Sequence, residues 1–128
     1  MTQQTKSTRS ILFADDELGF RDLFRFIFEP LGFEVVVVGN GLEALEMIRR
    51  RSFNLVVLDV NMPRMGGPET LTRLREIQPD QRVMVVCSGF DPTNRIETEA
   101  LRAGAASYLH KPIEVDELVA AVNKALEE

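Results

Sequence analysis

Short apolar runs alternate with helix-period stripes along almost the whole chain. Ile11-Leu12-Phe13-Ala14, Val35-Val36-Val37-Val38, Leu55-Val56-Val57-Leu58 and Val83-Met84-Val85-Val86-Cys87 are unbroken apolar segments of strand length, and Ser107 to Leu109, with the apolar pair Tyr108-Leu109, reads as a short fifth strand. In strands one, three and four such continuous runs mark parallel strands covered on both faces, whereas a half-solvated strand would alternate. Between them the apolar positions recur at the helical spacing of stripes that face inward to the core. Phe20, Leu23, Phe24 and Ile27 form one stripe. Leu42, Leu45 and Ile48 form the next, followed by Leu71, Leu74 and Ile77, then Ile96, Ala100 and Leu101. The last stripe is Val115, Leu118, Val119, Val122 and Leu126.

Breaking residues separate these segments. Pro30 and Gly32 close helix one, and Gly39-Asn40-Gly41 turns the chain into helix two. Arg49, Arg50 and Arg51 end helix two, where cations complement the helix dipole. Pro63, Gly66 and Gly67 mark a loop, and Pro68 suits the first turn of helix three. Asp91-Pro92 reads as the cap and first residue of helix four, and Gly104 as its stop. Helix five starts near Glu114 with an acidic first turn. Five βα units in a row, joined by right-handed crossovers, predict an α/β fold with a doubly wound five-stranded parallel sheet. Residues 1–9 are polar and read as a disordered leader, with one domain over 10–128 and no room for an output module after Glu128.

Composition narrows the class. A chain of 128 residues suits one domain with a real core. The formal charge of −5 argues against direct nucleic-acid binding by this domain, which needs a basic face. The single Cys excludes an internal disulfide and fits a reducing compartment. No apolar run approaches the length of a membrane span, and the N-terminus has no signal-peptide centre. A cytoplasmic protein is the expectation.

The chemistry lies where the apolar runs stop. Asp15 and Asp16 follow the first, Asp59 ends the third, Ser88 follows the fourth, and Lys111-Pro112 comes just after the fifth. On a parallel sheet all of them meet at the carboxyl edge, where open α/β sheets bind ligands. Three carboxylates sit together only if cations balance them. A divalent metal and the Lys111 ammonium would do so, which points to metal-assisted handling of phosphate.

These residues in this order resemble the receiver domain of bacterial two-component response regulators. The resemblance runs from about Ser10 to Glu127. It rests on Asp15-Asp16, on Asp59-Val60-Asn61-Met62-Pro63 with Gly67 beyond, on Ser88-Gly89, on Gly104-Ala105, and on Tyr108 three residues before Lys111-Pro112. It implies a flavodoxin-like (βα)5 fold with strand order 2-1-3-4-5. It implies Asp59 as phosphoacceptor and a phosphohistidine on a sensor histidine kinase or histidine phosphotransfer protein as donor. Mg²⁺ would be held by Asp16 and Asp59 directly, by Asp15 through water, and by the backbone carbonyl of Asn61. Lys111 and Ser88 would contact phosphoryl oxygens, and Lys111 could pair with Asp59 beforehand. Ser88 and Tyr108 would be the switch that reshapes the surface of helix four, strand five and helix five, a possible homodimer face. The resemblance also implies a cis Lys111-Pro112 bond. Phe90 and Asn61 would tune hydrolysis of the acyl phosphate, and Met62 and Pro63 would shape kinase docking with helix one. Phe26 and Phe28 lie off the main stripe of helix one, where the two readings are contact with a kinase or cover for a helix edge. Glu17 reads as a first-turn acid favoured by the dipole.

Three other readings fit less well. A haloacid-dehalogenase-like phosphatase needs a second Asp two residues after the nucleophile, where Asn61 stands, and a nucleophile after the first strand. A flavin-binding flavodoxin needs a phosphate loop after strand one, where Asp15-Asp16-Glu17 would repel it. A degenerate receiver would lack the acids and the lysine that are all present.

Overall fold

A computed structural model describes residues 8–89 and 92–127. Five strands form one parallel sheet: β1 (Ser10–Ala14), β2 (Glu34–Val38), β3 (Leu55–Asp59), β4 (Val83–Cys87) and β5 (Ser107–His110). Their order across the sheet is β2-β1-β3-β4-β5, as expected. The helices are α1 (Leu18–Phe28), α2 (Gly41–Arg50), α3 (Gly67–Ile77), α4 (Arg95–Arg102) and α5 (Val115–Glu127), with a 3-10 turn at Glu29–Leu31 after α1.

Every residue of β1, β3 and β4 is buried, because successive side chains enter opposite faces and both faces are covered. Leu12, Val56, Leu58, Val85 and Cys87 face a core built with α2, α3 and α4. Ile11, Phe13, Leu55, Val57, Met84 and Val86 face a second core built with α1 and α5. The second core contains a run of phenylalanines. Phe13 stacks on Phe24 at 4.2 Å, Phe24 meets Phe28 at 4.4 Å, and Phe28 meets the edge of Phe33 at 5.7 Å.

Several local expectations change. Phe28 is fully buried in this run, while Phe26 is 78% exposed, so the two do not share a role. Leu23, Leu42, Leu101 and Val115, assigned above to inward stripes, are each more than 40% exposed. They sit on the flanks of stripes whose centres already fill the core, and an exposed leucine is ordinary. Helix α4 begins at Arg95 instead of Pro92, with Asn94 in the left-handed region (φ 55°) before it. Asp91, expected to cap it, lies outside the described residues, as do Phe90 and most of the leader, residues 1–7. Arg51 is not in the last turn of α2: it is extended, grips Glu34 through two hydrogen bonds of 2.8 and 3.0 Å, and lies over the Phe53 ring.

Helix α2 has a strong start. Asn40 accepts from the Glu43 N–H at 2.9 Å, and Glu43 reaches back to the Gly39 N–H at 2.9 Å. Gly41 is required for space: a Cβ there would lie 1.9 Å from Thr70 Oγ1 and 2.7 Å from the Met65 carbonyl. The absence of a side chain lets α2 close on α3.

Candidate functional site

The strand register alone brings the polar residues together. Ala14 pairs with Leu58, so Asp15 and Asp59 leave the sheet side by side. Cys87 pairs with His110, and the Lys111 N–H bonds the Cys87 carbonyl at 2.8 Å, which brings Ser88 beside Lys111. Ser88 and Gly89 are exposed just past β4. A side chain on Gly89 would press to 3.0 Å from the Asn61 amide, so this glycine lets the loops after β3 and β4 approach. The Lys111-Pro112 peptide is cis.

Asp15, Asp16 and Asp59 form a compact acidic cluster. Each offers a carboxylate oxygen within 4.8 Å of the others; Asp15 and Asp59 are buried and Asp16 is exposed. Asp15 spends one oxygen on the backbone N–H of Glu17 (2.9 Å) and the other on Lys111 Nζ (2.8 Å). The first bond is an Asx turn that directs the chain from β1 into α1. Asp59 is 1% exposed, and its Oδ1 is buried without a hydrogen-bond partner among the described residues. Burial, reinforced by the charge of Asp15, pushes its carboxyl up to about 7; the charge of Lys111 and the Asn61 backbone N–H oppose this. A buried acid with an unpaired oxygen between two further carboxylates is a site that suits a hard cation.

Lys111 does not bond Asp59. Its ammonium lies 2.8 Å from Asp15 Oδ2 and 2.5 Å from Glu17 Oε1, and 4.1 Å from the centroid of the Phe20 ring. Burial lowers its basicity, but Asp15, Glu17 and Asp59 outweigh that and hold it more basic than an ordinary lysine. Glu17 therefore departs from its sequence reading. It precedes α1 as the N-cap residue, its side chain caps nothing, and it grips the lysine. The run of three acids from Asp15 to Glu17 was the available signal, but sequence does not say which of them Lys111 chooses.

Tyr108 is 9% exposed on β5, with its ring 5.2 Å from the His110 ring in edge contact. Cys87 is buried on the α2–α4 side of the sheet and His110 is exposed, both turned from the acidic cluster as their strand positions require.

A parallel sheet with clustered acids and one lysine at its carboxyl edge defines a narrow class. The family model for the response regulator receiver domain matches residues 11–123, and the chain belongs to that family. It is 34% identical over 116 residues to sporulation initiation phosphotransferase F of Bacillus subtilis, covering 91% of this chain and 92% of that protein. It is 33% identical over 116 residues to the transcriptional regulatory protein ZraR of Klebsiella oxytoca, covering 91% of this chain but only 26% of ZraR's length. Among solved structures, a CheY-like response regulator receiver domain protein from Methanospirillum hungatei superposes with a TM-score of 0.88 at 28% identity, covering 94% of this chain and 95% of that one. The chain is therefore a receiver domain of two-component signal transduction, a signalling module of flavodoxin-like fold. Among the described residues no helix is long and apolar enough to cross a membrane.

Proposed function

We propose that this receiver takes a phosphoryl group onto Asp59 from a phosphohistidine of a sensor histidine kinase or histidine phosphotransfer protein. The observation that carries this is the buried Asp59 carboxylate, with an oxygen left without a partner among the described residues, facing Asp15, Asp16 and the Lys111 charge. In the transfer, an Asp59 oxygen attacks phosphorus in line. The bond from phosphorus to the donor nitrogen breaks, and its electron pair stays on the imidazole. An acyl phosphate forms on Asp59, which must be ionised to attack.

The acidic cluster fits Mg²⁺. Asp16 and Asp59, the backbone carbonyl of Asn61 and, through water, Asp15 would hold it, and when bound it withdraws charge from the phosphoryl oxygens. Lys111 supplies a mobile positive charge for a phosphoryl oxygen, and its flexible stem lets it change partners. The Ser88 hydroxyl donates to another phosphoryl oxygen. Ser88 and the buried Tyr108 then form the switch, and their rearrangement reshapes the surface of α4, β5 and α5, which would serve as partner or homodimer face. Asn61 and Phe90 would set the lifetime of the acyl phosphate.

The test is incubation with Mg²⁺ and acetyl phosphate followed by intact mass. The wild type gains one phosphoryl group and Asp59→Asn gains none. A wild type that stays unmodified excludes the reading, as does a phosphoryl group that persists in Asp59→Asn.

A further inference from the structure

The Lys111 ammonium is already engaged before any phosphate arrives. Two carboxylates and an aromatic face surround it, at 2.8 Å (Asp15), 2.5 Å (Glu17) and 4.1 Å (the Phe20 centroid). A phosphoryl oxygen on Asp59 can gain this cation only if one of these contacts gives way. The two acids are not equivalent. The Asp15 side chain is completely buried and also holds the Glu17 N–H, so it is fixed. The Glu17 side chain is 59% exposed and anchored at its backbone alone, through that N–H and through its carbonyl, which accepts from the Arg21 N–H at 3.1 Å. Water can replace Glu17 at little cost, and nothing can readily replace Asp15.

We infer that Glu17 is a positioning residue, a releasable clasp that parks Lys111 away from Asp59 and opens when the phosphoryl group arrives. The inference rests on Asp59 being the phosphoacceptor. The clasp has Glu17 Oε1 on Lys111 Nζ when Asp59 is unmodified, and a phosphoryl oxygen in its place afterwards. Asp15 keeps its contact throughout, so the ammonium pivots about Asp15 instead of detaching. Because Glu17 is exposed, its ion pair contributes modestly and is weakened by salt. The clasp therefore tunes the rate of phosphorylation and does not forbid it.

The test compares wild type, Glu17→Gln and Glu17→Asp. Phosphorylation of Asp59 by acetyl phosphate with Mg²⁺ is followed by intact mass. In parallel, the Lys111 ammonium is observed by ¹⁵N NMR in protein without metal or phosphate. Gln removes the charge, whereas Asp keeps it but shortens the reach by one methylene. Both variants should phosphorylate about two- to five-fold faster than wild type, a gain that shrinks at high salt. In both, the ammonium signal should shift and exchange faster with water. If only the Gln variant is faster, the effect is plain repulsion of the anionic donor and the clasp is excluded. Unchanged ammonium signals also exclude it. A wild type with no adduct on Asp59 overturns the phosphoacceptor reading itself, whereas an adduct formed at equal rates in all three proteins overturns the clasp alone.

Discussion

Lys111 and Asp59 share one pocket without sharing a hydrogen bond: the ammonium bonds Asp15 at 2.8 Å, and Oδ1 of Asp59 stays buried without a partner among the described residues. The cation softens the burial of Asp59 only through its field, and the carboxyl stays raised to about 7.

This makes the metal-free protein sensitive to pH in a definite direction. The ordinary value for this carboxyl is 3.8, and the folded value is about 7, so the native state binds the proton more tightly than the unfolded chain. Stability therefore falls as pH rises from about 4 to 7, and the full penalty is present above that window. Asp59→Asn should be more stable than wild type at pH 8 by about 2–4 kcal/mol, at roughly 1.4 kcal/mol per pKa unit. The difference should nearly vanish at pH 4, as read by urea unfolding without metal. Mg²⁺ should remove much of the difference at pH 8, and chelation should restore it, because the ion stabilises the ionised cluster of the wild type.

Closing α2 onto α3 depends on a missing side chain. Gly41→Ala places a methyl 1.9 Å from Thr70 Oγ1 and 2.7 Å from the Met65 carbonyl. It should cost about 1–3 kcal/mol in urea unfolding, the range for overpacking. Adding Thr70→Ala should recover only part of the loss, since the Met65 carbonyl remains in the way.

Arg75 ties α3 to the loop after α4. Its guanidinium donates to the carbonyls of Ala103 (2.7 Å) and Gly104 (3.2 Å), and to those of Gln81 (2.6 Å) and Pro79 (3.3 Å). Arg75→Ala should destabilise the protein by roughly 1.5–3 kcal/mol, the scale of charged hydrogen bonds. Amide exchange at Ala103, Gly104 and Ala105 should accelerate more than exchange in β1. Arg75→Lys should not rescue this, because an ammonium cannot span four carbonyls held by a planar fork.

The two phenylalanines near the end of α1 should behave oppositely. Phe28 is fully buried between Phe24 and Phe33, so Phe28→Ala should cost about 3–5 kcal/mol. Phe26 is 78% exposed, so Phe26→Ala should lie within about 0.5 kcal/mol of wild type. Thermal or urea unfolding of the two variants checks both.

Phe26 and Phe28 also show where sequence reading stops. Phe28 lies one turn after Phe24 and packs on its ring at 4.4 Å, so the buried face of α1 extends to it, while Phe26 points to solvent; Phe33, on the segment leading into β2, covers the far side of Phe28. Leu42, Leu101 and Val115 fail as inward residues for a related reason: helical spacing locates the centre of a buried stripe but not its width. Asp91-Pro92 is a good local start signal, yet α4 begins later, at Arg95 after a left-handed Asn94.

The chain's pattern determined that β1, β3 and β4 would be covered on both faces and that Asp15, Asp16, Asp59, Ser88 and Lys111 would gather at one edge. Each of these residues ends an apolar run or lies within two positions of its end, so strand register carries it to the site without long-range information. Tertiary structure alone decided which charges pair. A flexible lysine within reach of several acids chooses by burial and local backbone geometry, and the meeting of Lys111 with Asp15, Glu17 and the Phe20 ring exists only once β1, α1 and β5 have packed.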